Sequence, residues 1–193
     1  PKLSVLLQRE GQLWVDSMQW GLMNNWKRPY AEMLKSSNNT LNAKSETIFD
    51  LVSFKSNILT RRCVIPVENF FEYKHVGEDK LPYVIQPKGY SFLNLAGIYA
   101  HYQDPENGLW HNSFSICTTA ANEFMSSIHN SKFRQPVVLK DEQVSAWLNP
   151  DSSKEMVQHL MEPGEAVSLQ AYRAPRNLLK LGNTAAVLQE ENI

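Results

Sequence analysis

Two cysteines in 193 residues, Cys63 and Cys117, are too few for a disulfide scaffold and lack the spacing of a zinc-ligand pair. Both sit in apolar, strand-like runs, which predicts buried, reduced thiols. No apolar run approaches the length of a membrane span, and no secretory h-region opens the chain, so we expect a cytoplasmic protein without membrane contact. A net charge of −1 argues against a dedicated polyanion binder. The sequence has no P-loop, no G-x-G-x-x-G, no G-x-S-x-G and no zinc pattern, which excludes the common nucleotide-binding and hydrolase motifs and leaves no metal or cofactor to expect. It also has no Pro/Gly/Ser-rich linker, no internal repeat and no low-complexity segment. A single domain over residues 1–193, as a monomer, is the expectation.

What is there is a β-rich chain. Residues 2–8 and 12–20 alternate as a hairpin around "REGQ". "RRCVIPVENFFEYK" and "YVIQPKGYSFLNLAGIYAHY" supply three or four more strands, with turns at "HVGEDK" and "PKGY". "LWHNSFSICTTAA" adds another and "QPVVL" a short one. A helical turn is expected around Tyr30–Lys35 and a helix over roughly 44–54. "TAANEFMSSIHN" reads as a helix capped near Thr118 or Thr119, and "KDEQVSAWLN" and "SSKEMVQHLM" as two amphipathic helices. The tail from Val167 to Leu188 has strand-like ends. The fold class is therefore α+β: an antiparallel, barrel-like sheet core with short flanking helices.

Charge is unevenly spread. Residues 27–74 hold eight Lys/Arg against five Asp/Glu, whereas 141–170 hold six acids against one lysine. Within the basic stretch, "NFFEYK" places Phe70 and Glu72 on one face of an extended strand and Phe71 and Tyr73 on the other. A carboxylate among aromatic rings needs a partner, a wet edge or a chemical task. An ion pair with Arg61 or Arg62 is the structural option and acid/base chemistry the functional one. Asn42, beside Lys44 and Glu46, reads either as a helix cap (Asn42 or Ser45) or as a pocket amide beside a phosphate-facing lysine. His129, at a helix end, answers the helix dipole or serves as a general acid/base. Lys132 and Arg134 follow as candidate anion contacts.

In combination these segments resemble the SRAP family, the SOS-response-associated peptidases. "WGLMNNW" (20–26), "NAKSET" (42–47), "RRCVIPVENFFEY" (61–73), "AGIY" (96–99), "SFSICTTAAN" (113–122) and "IHN…RQPVVL" (128–139) occur in that family's order and approximate spacing, over about residues 12–148. The resemblance implies a sensor of abasic sites in single-stranded DNA. An amino-terminal cysteine, exposed by self-removal of methionine, would close a thiazolidine with the aldehyde of the opened sugar. By matching motif positions, Asn42 would hold the cysteine and the adduct. Glu72 would carry protons in self-processing and crosslinking, and His129 would assist ring-opening. Lys44 and Arg134 would contact flanking phosphates, with Lys132 sharing that role, while Trp26 and Tyr73 would wedge against bases.

The match has departures. The chain opens "PKLSVLL", and neither Cys63 nor Cys117 offers a 1,2-aminothiol, so the cysteine is expected in a segment upstream of Pro1. "NNW" replaces a proline-containing turn, Tyr73 stands where tryptophan is frequent, and "NSKF" lengthens the step from His129 to Arg134. Three alternatives accompany the crosslinker reading. They are a non-covalent binder of abasic or single-stranded DNA, a thiol autopeptidase without a DNA role, and an imine-forming Pro1 amine.

Overall fold

The computed structural model describes residues 1–163 and 167–181, and for Leu179 and Leu181 the backbone alone. In chain order the first elements are β1 (Lys2–Arg9), β2 (Gln12–Trp20), α1 (Tyr30–Ser36), β3 (Asn42–Lys44), α2 (Lys55–Thr60), β4 (Arg62–Val67), β5 (Phe70–Val76) and β6 (Asp79–Pro87). There follow β7 (Leu93–Gln103), β8 (Trp110–Ala120), α3 (Glu123–Ile128), β9 (Arg134–Pro136), β10 (Val138–Leu139), α4 (Asp141–Leu148), α5 (Lys154–Leu160), β11 (Leu169–Arg173) and α6 (Leu178–Leu181). The chain passes back and forth between two compact units, one of residues 1–66, 94–119 and 136–162, the other of residues 67–93, 120–135 and 163–193.

The first unit is built on a closed sheet. β1 and β2 pair from Lys2↔Gln19 to Arg9↔Gln12, and Glu10 and Gly11 at φ 50° and 76° make the tight turn between them. Strand order β7-β4-β1-β2-β8, with β8 pairing back onto β7, closes five strands into a barrel, and β10 and β3 extend it beside β7 and β8. The expected antiparallel, barrel-like core is therefore present. It has two parallel joins that hairpin reasoning did not foresee: β2 to β8 at Gln19↔Ser113, and β3 to β8 from Asn42↔Ile116. At the closure only glycine fits at position 97, since a Cβ there would meet Ile65 Cδ1 at 2.5 Å and the Ser115 carbonyl at 2.9 Å.

Core side chains come from strands and helices alike: Val64, Ala96, Ile98 and Cys117 from the sheet, and Trp147, Leu148, Val157 and Leu160 from α4 and α5, the two helices expected at those positions. Cys63 and Cys117 are both free and buried, as anticipated. The helix expected over 44–54 does not form. Residues 45–54 run through successive turns (Thr47 N–H to Lys44 O at 3.1 Å, Asp50 N–H to Thr47 O at 3.0 Å), and the helix is α2, further on. The stretch carries Thr47, Ile48, Phe49, Val52 and Phe54, whose β-branched and aromatic side chains lose rotamer freedom in a helix. The turns instead deliver Ile48 and Phe54 to the core.

Arg62 is the charged member of this core, only 3% exposed. Its Nε donates to the Trp147 carbonyl at 2.7 Å, Nη1 to those of Ile58 (2.7 Å) and Leu59 (2.6 Å), and Nη2 to that of Asn149. The Trp147 indole N–H answers by donating to the Cys63 carbonyl at 2.9 Å. One guanidinium thus satisfies the carbonyl-bearing ends of α2 and α4. Burial lowers its pKa from the usual guanidinium value.

In the second unit β5, β6 and β11 form an antiparallel sheet in the order β11-β6-β5. Ile85 of β6 packs with Met125 and Ile128 of α3, and Phe70, Tyr83, Leu169 and Ala171 close around them. The cap of α3 is Asn122, whose side chain accepts from the Met125 N–H at 2.9 Å. Thr118 and Thr119, the capping residues expected, remain in β8, which continues to Ala120 before the chain turns. The far, strand-like end of the tail lies outside the described residues.

Replacing Arg62 by methionine is expected to keep the volume while stranding buried carbonyls, with a loss of at least about 3 kcal/mol in denaturant-unfolding stability. A change below about 1 kcal/mol would show that the carbonyls find other partners.

Candidate functional site

The alternation expected for "NFFEYK" is realised. Phe70 pairs with Ile85 and Glu72 with Tyr83, which sets Phe70, Glu72, Tyr83 and Ile85 on the sheet face that carries α3. Phe71 and Tyr73, opposite Val84 and Pro82, take the other face. The end of α3 then brings His129 to Glu72, with Nδ1 3.5 Å from Oε1. Neither group is fully enclosed: the two side chains are 16% and 23% exposed, histidine and glutamate respectively.

Two backbone anchors fix the imidazole. His129 Nδ1 lies 2.9 Å from the Arg134 carbonyl. A carbonyl only accepts, so this bond requires the proton on Nδ1, and in the neutral ring Nε2 keeps its lone pair. The second anchor is Asn130, to which sequence reasoning assigned no role. Its side-chain carbonyl accepts from the His75 N–H and its amide donates to the His75 carbonyl, both at 2.9 Å. One asparagine thus pairs with β5 as a neighbouring strand would, tying the loop after α3 to the strand of Glu72. An asparagine directly after the candidate histidine was the available signal. "NSKF" forms a turn closed by Phe133 N–H to His129 O at 3.1 Å, with Phe133 at φ 52°.

The environment pulls Glu72 two ways. Burial raises its carboxyl pKa above the ordinary value. The His129 charge, a Tyr73 backbone N–H and the Lys132 charge oppose that, and burial prevails. Neither ion pair considered from sequence supplies its partner: the Arg62 guanidinium is taken up by carbonyls of the first unit, and the group beside Glu72 is the His129 ring, an ion pair only when that ring is protonated. Arg134 is half-buried at the start of β9 with its carbonyl on His129, Lys132 is exposed, and Tyr73 is half-buried.

The remaining predicted residues belong to the first unit. Asn42 and Lys44 are exposed on either side of buried Ala43 in β3. Neither Asn42 nor Ser45 caps a helix: Ser45 donates its N–H to the Thr118 carbonyl at 2.8 Å and its hydroxyl to Thr119 Oγ1 at 3.3 Å. Trp26 is 42% exposed, on the loop before α1, whose Lys27 adopts φ 54°. Among the described residues no cluster of His, Cys, Asp or Glu has the makings of a metal site.

A carboxyl whose pKa is raised by the fold favours its protonated form there. That contribution to stability is present below the unfolded carboxyl pKa and is lost as pH rises through the folded value. Glu72→Gln removes the titration, so the variant should gain stability relative to the wild type as pH climbs from about 4 towards neutrality. Thermal melts across that range read the difference. A pH-independent gap would mean that the carboxyl is not desolvated.

A sequence profile of the SOS response associated peptidase (SRAP) family matches residues 2–180. The chain is 34% identical over 159 residues to the Bacillus subtilis abasic site processing protein YoqW, covering 81% of this chain and 67% of that one. It is 29% identical over 152 residues to the Gallus gallus abasic site processing protein HMCES, covering 68% of this chain and 44% of the longer relative. A crystal structure of a Bacteroides thetaiotaomicron protein superposes with a TM-score of 0.91 at 33% identity, over 100% of this chain and 82% of that one. With the profile spanning nearly the whole sequence, the chain belongs to the SRAP family.

Proposed function

We propose that this protein recognises abasic sites in single-stranded DNA and processes them with Glu72 and His129 as its proton-transfer pair. The observation that carries the reading is the carboxyl of Glu72, raised in pKa by burial and held 3.5 Å from an imidazole whose tautomer a backbone carbonyl sets. The names of the relatives, abasic site processing proteins, supply the substrate class.

An opened abasic sugar presents an aldehyde. An amine adds to it to give a carbinolamine, whose hydroxyl must gain a proton to leave as water and yield the imine. A carboxyl whose pKa burial raises suits that task, and the Nε2 of His129, left free by the Nδ1 bond to the Arg134 carbonyl, suits proton removal during ring-opening. In the covalent version the amine and thiol belong to one amino-terminal cysteine, which is not among these 193 residues. Its thiol adds across the imine, S to carbon and H to nitrogen, and closes a thiazolidine with no change in oxidation state. The two nucleophiles share a residue, so the second step is intramolecular. Asn42 would hold that cysteine and the adduct, and self-removal of methionine would use the same Glu72. Lys44, Lys132 and Arg134 would take flanking phosphates, and Trp26 and Tyr73 would lie against neighbouring bases.

Incubation of the natural full-length protein with abasic single-stranded DNA, followed by intact-mass analysis, tests this. A stable adduct lost on alanine substitution of the residue after methionine is expected. Retained binding without an adduct would leave a non-covalent module, and absence of both would remove the DNA role. Glu72→Gln should slow adduct formation by about 100-fold or more while leaving the fold intact. His129→Gln should slow it as well. Unchanged kinetics in Glu72→Gln would sink its proton-carrying role.

A further inference from the structure

On the other face of the β11-β6-β5 sheet from Glu72 lies a polar recess of about 520 Å³, whose lining includes Glu68, Asn69, Gln86, Gly89, Tyr90 and Gln170. Its register is set by the sheet. Gln86 of β6 faces Gln170 of β11 directly, and Asn69 immediately precedes Phe70, whose partner Ile85 adjoins Gln86. Three carboxamides, two from the adjacent strands β6 and β11 and one from the residue just before β5, therefore line one opening. Among the described residues none of the three has a side-chain hydrogen bond to the protein, so at this opening their donors and acceptors are available to solvent or to a ligand. Tyr90, 63% exposed on the β6–β7 turn, supplies a ring at the rim, and Glu68 supplies a carboxylate. Lys88, exposed in the same turn, holds its backbone by donating its N–H to the Ser168 carbonyl at 2.8 Å.

We propose that this recess is a nucleobase-reading subsite, in which an unstacked base of bound single-stranded DNA lies against Tyr90 while Asn69, Gln86 and Gln170 read its edge. Neutral amides offer paired donors and acceptors, the chemistry of a base edge and not of a phosphate. Glu68 turns phosphate away from the recess and can accept from an exocyclic amino group, which adenine, cytosine and guanine carry and thymine lacks. Lys88 stands beside the opening where the nucleotide's phosphate would lie outside it. Asn69 precedes Glu72 by three residues of an edge strand, roughly 10 Å. The base read is therefore that of a nucleotide near the lesion and not the lesion itself. The chain would then show a sequence preference at one position, in addition to reading lesion and backbone.

The inference rests on the proposed DNA function, and its test separates the two. Single-stranded oligonucleotides carrying a tetrahydrofuran abasic analogue, which cannot crosslink, are scanned with each base at every position near the lesion. Binding is read by fluorescence anisotropy at fixed salt. A preference of about fivefold at one position is expected, abolished by Gln170→Ala, with about a tenfold loss of affinity in Tyr90→Ala. Both residues lie at the recess surface, and unchanged melting of the variants confirms that the fold is spared. Equal affinity for all bases at every position, or a preference that survives Gln170→Ala, overturns the inference. Should the oligonucleotides fail to bind at all, the lesion-binding function falls. The four deoxynucleoside monophosphates then decide the recess, by whether they shift the side-chain amide resonances of Asn69, Gln86 and Gln170. Shifts seen with an oligosaccharide or an extended peptide, and with no nucleotide, overturn it.

Discussion

The second unit of this protein depends on one constraint: a carboxylate placed where water does not fully reach it, beside an imidazole whose Nδ1 is bonded to a backbone carbonyl. β5 dictates the first part. Its period-two alternation commits every second side chain to the face covered by α3, and Glu72 falls in that register between Phe70 and the approach of His129. A slip of one residue would put Phe71 and Tyr73 there instead. Asn130 guards against that slip by bonding both backbone groups of His75, which lies further along the same strand. The register of β5 and the position of the histidine loop are therefore one problem with one solution.

Arg62 and Glu72 come from the same stretch of sequence and show how burial can serve opposite ends. The guanidinium of Arg62 keeps its charge at any ordinary pH, and carbonyls surround it, so its burial produces stiffness. The carboxyl of Glu72 is less completely partnered, and its burial raises its pKa, so on the proposed function its burial serves proton transfer. A fully satisfied Glu72, in an arginine pair, would have a low pKa and no proton to give. On the proposed function, the incompleteness of its solvation is what lets it carry a proton.

Much of this was legible in the sequence because it follows from short-range periodicity. The β1–β2 hairpin, the helical turn from Tyr30, α4, α5 and the facing of Phe70 and Glu72 all follow from alternation, 3.6-residue spacing or turn chemistry. The losses are physical in origin. Apolar spacing suggested a helix over 44–54, but β-branched and aromatic residues there gain more from core contacts reached through turns. Thr118 and Thr119 look like caps until β8 is seen to need their backbones for its ladder, which leaves the capping to Asn122. Arg62 is an ion-pair candidate for Glu72 in one dimension and a carbonyl clamp in three. No local pattern announces the parallel joins of β8 to β2 and β3, since the paired segments lie some 75 to 95 residues apart.

Asn130 and the Asn69–Gln86–Gln170 row mark the same boundary from the other side. An asparagine or glutamine carries no charge, titrates nowhere and joins no familiar motif, so sequence reading passes over it. Its meaning depends on what stands across the strand. Asn130 meets two backbone groups of an edge strand and becomes structural. Among the described residues the three amides of the recess meet none, although they sit in or beside a sheet whose strands are paired. Amides that bond only solvent at a concave surface contribute little to the fold there. That argues for a ligand whose own edge alternates donor and acceptor, at a distance from Glu72 that a flexible strand spans within a nucleotide or two.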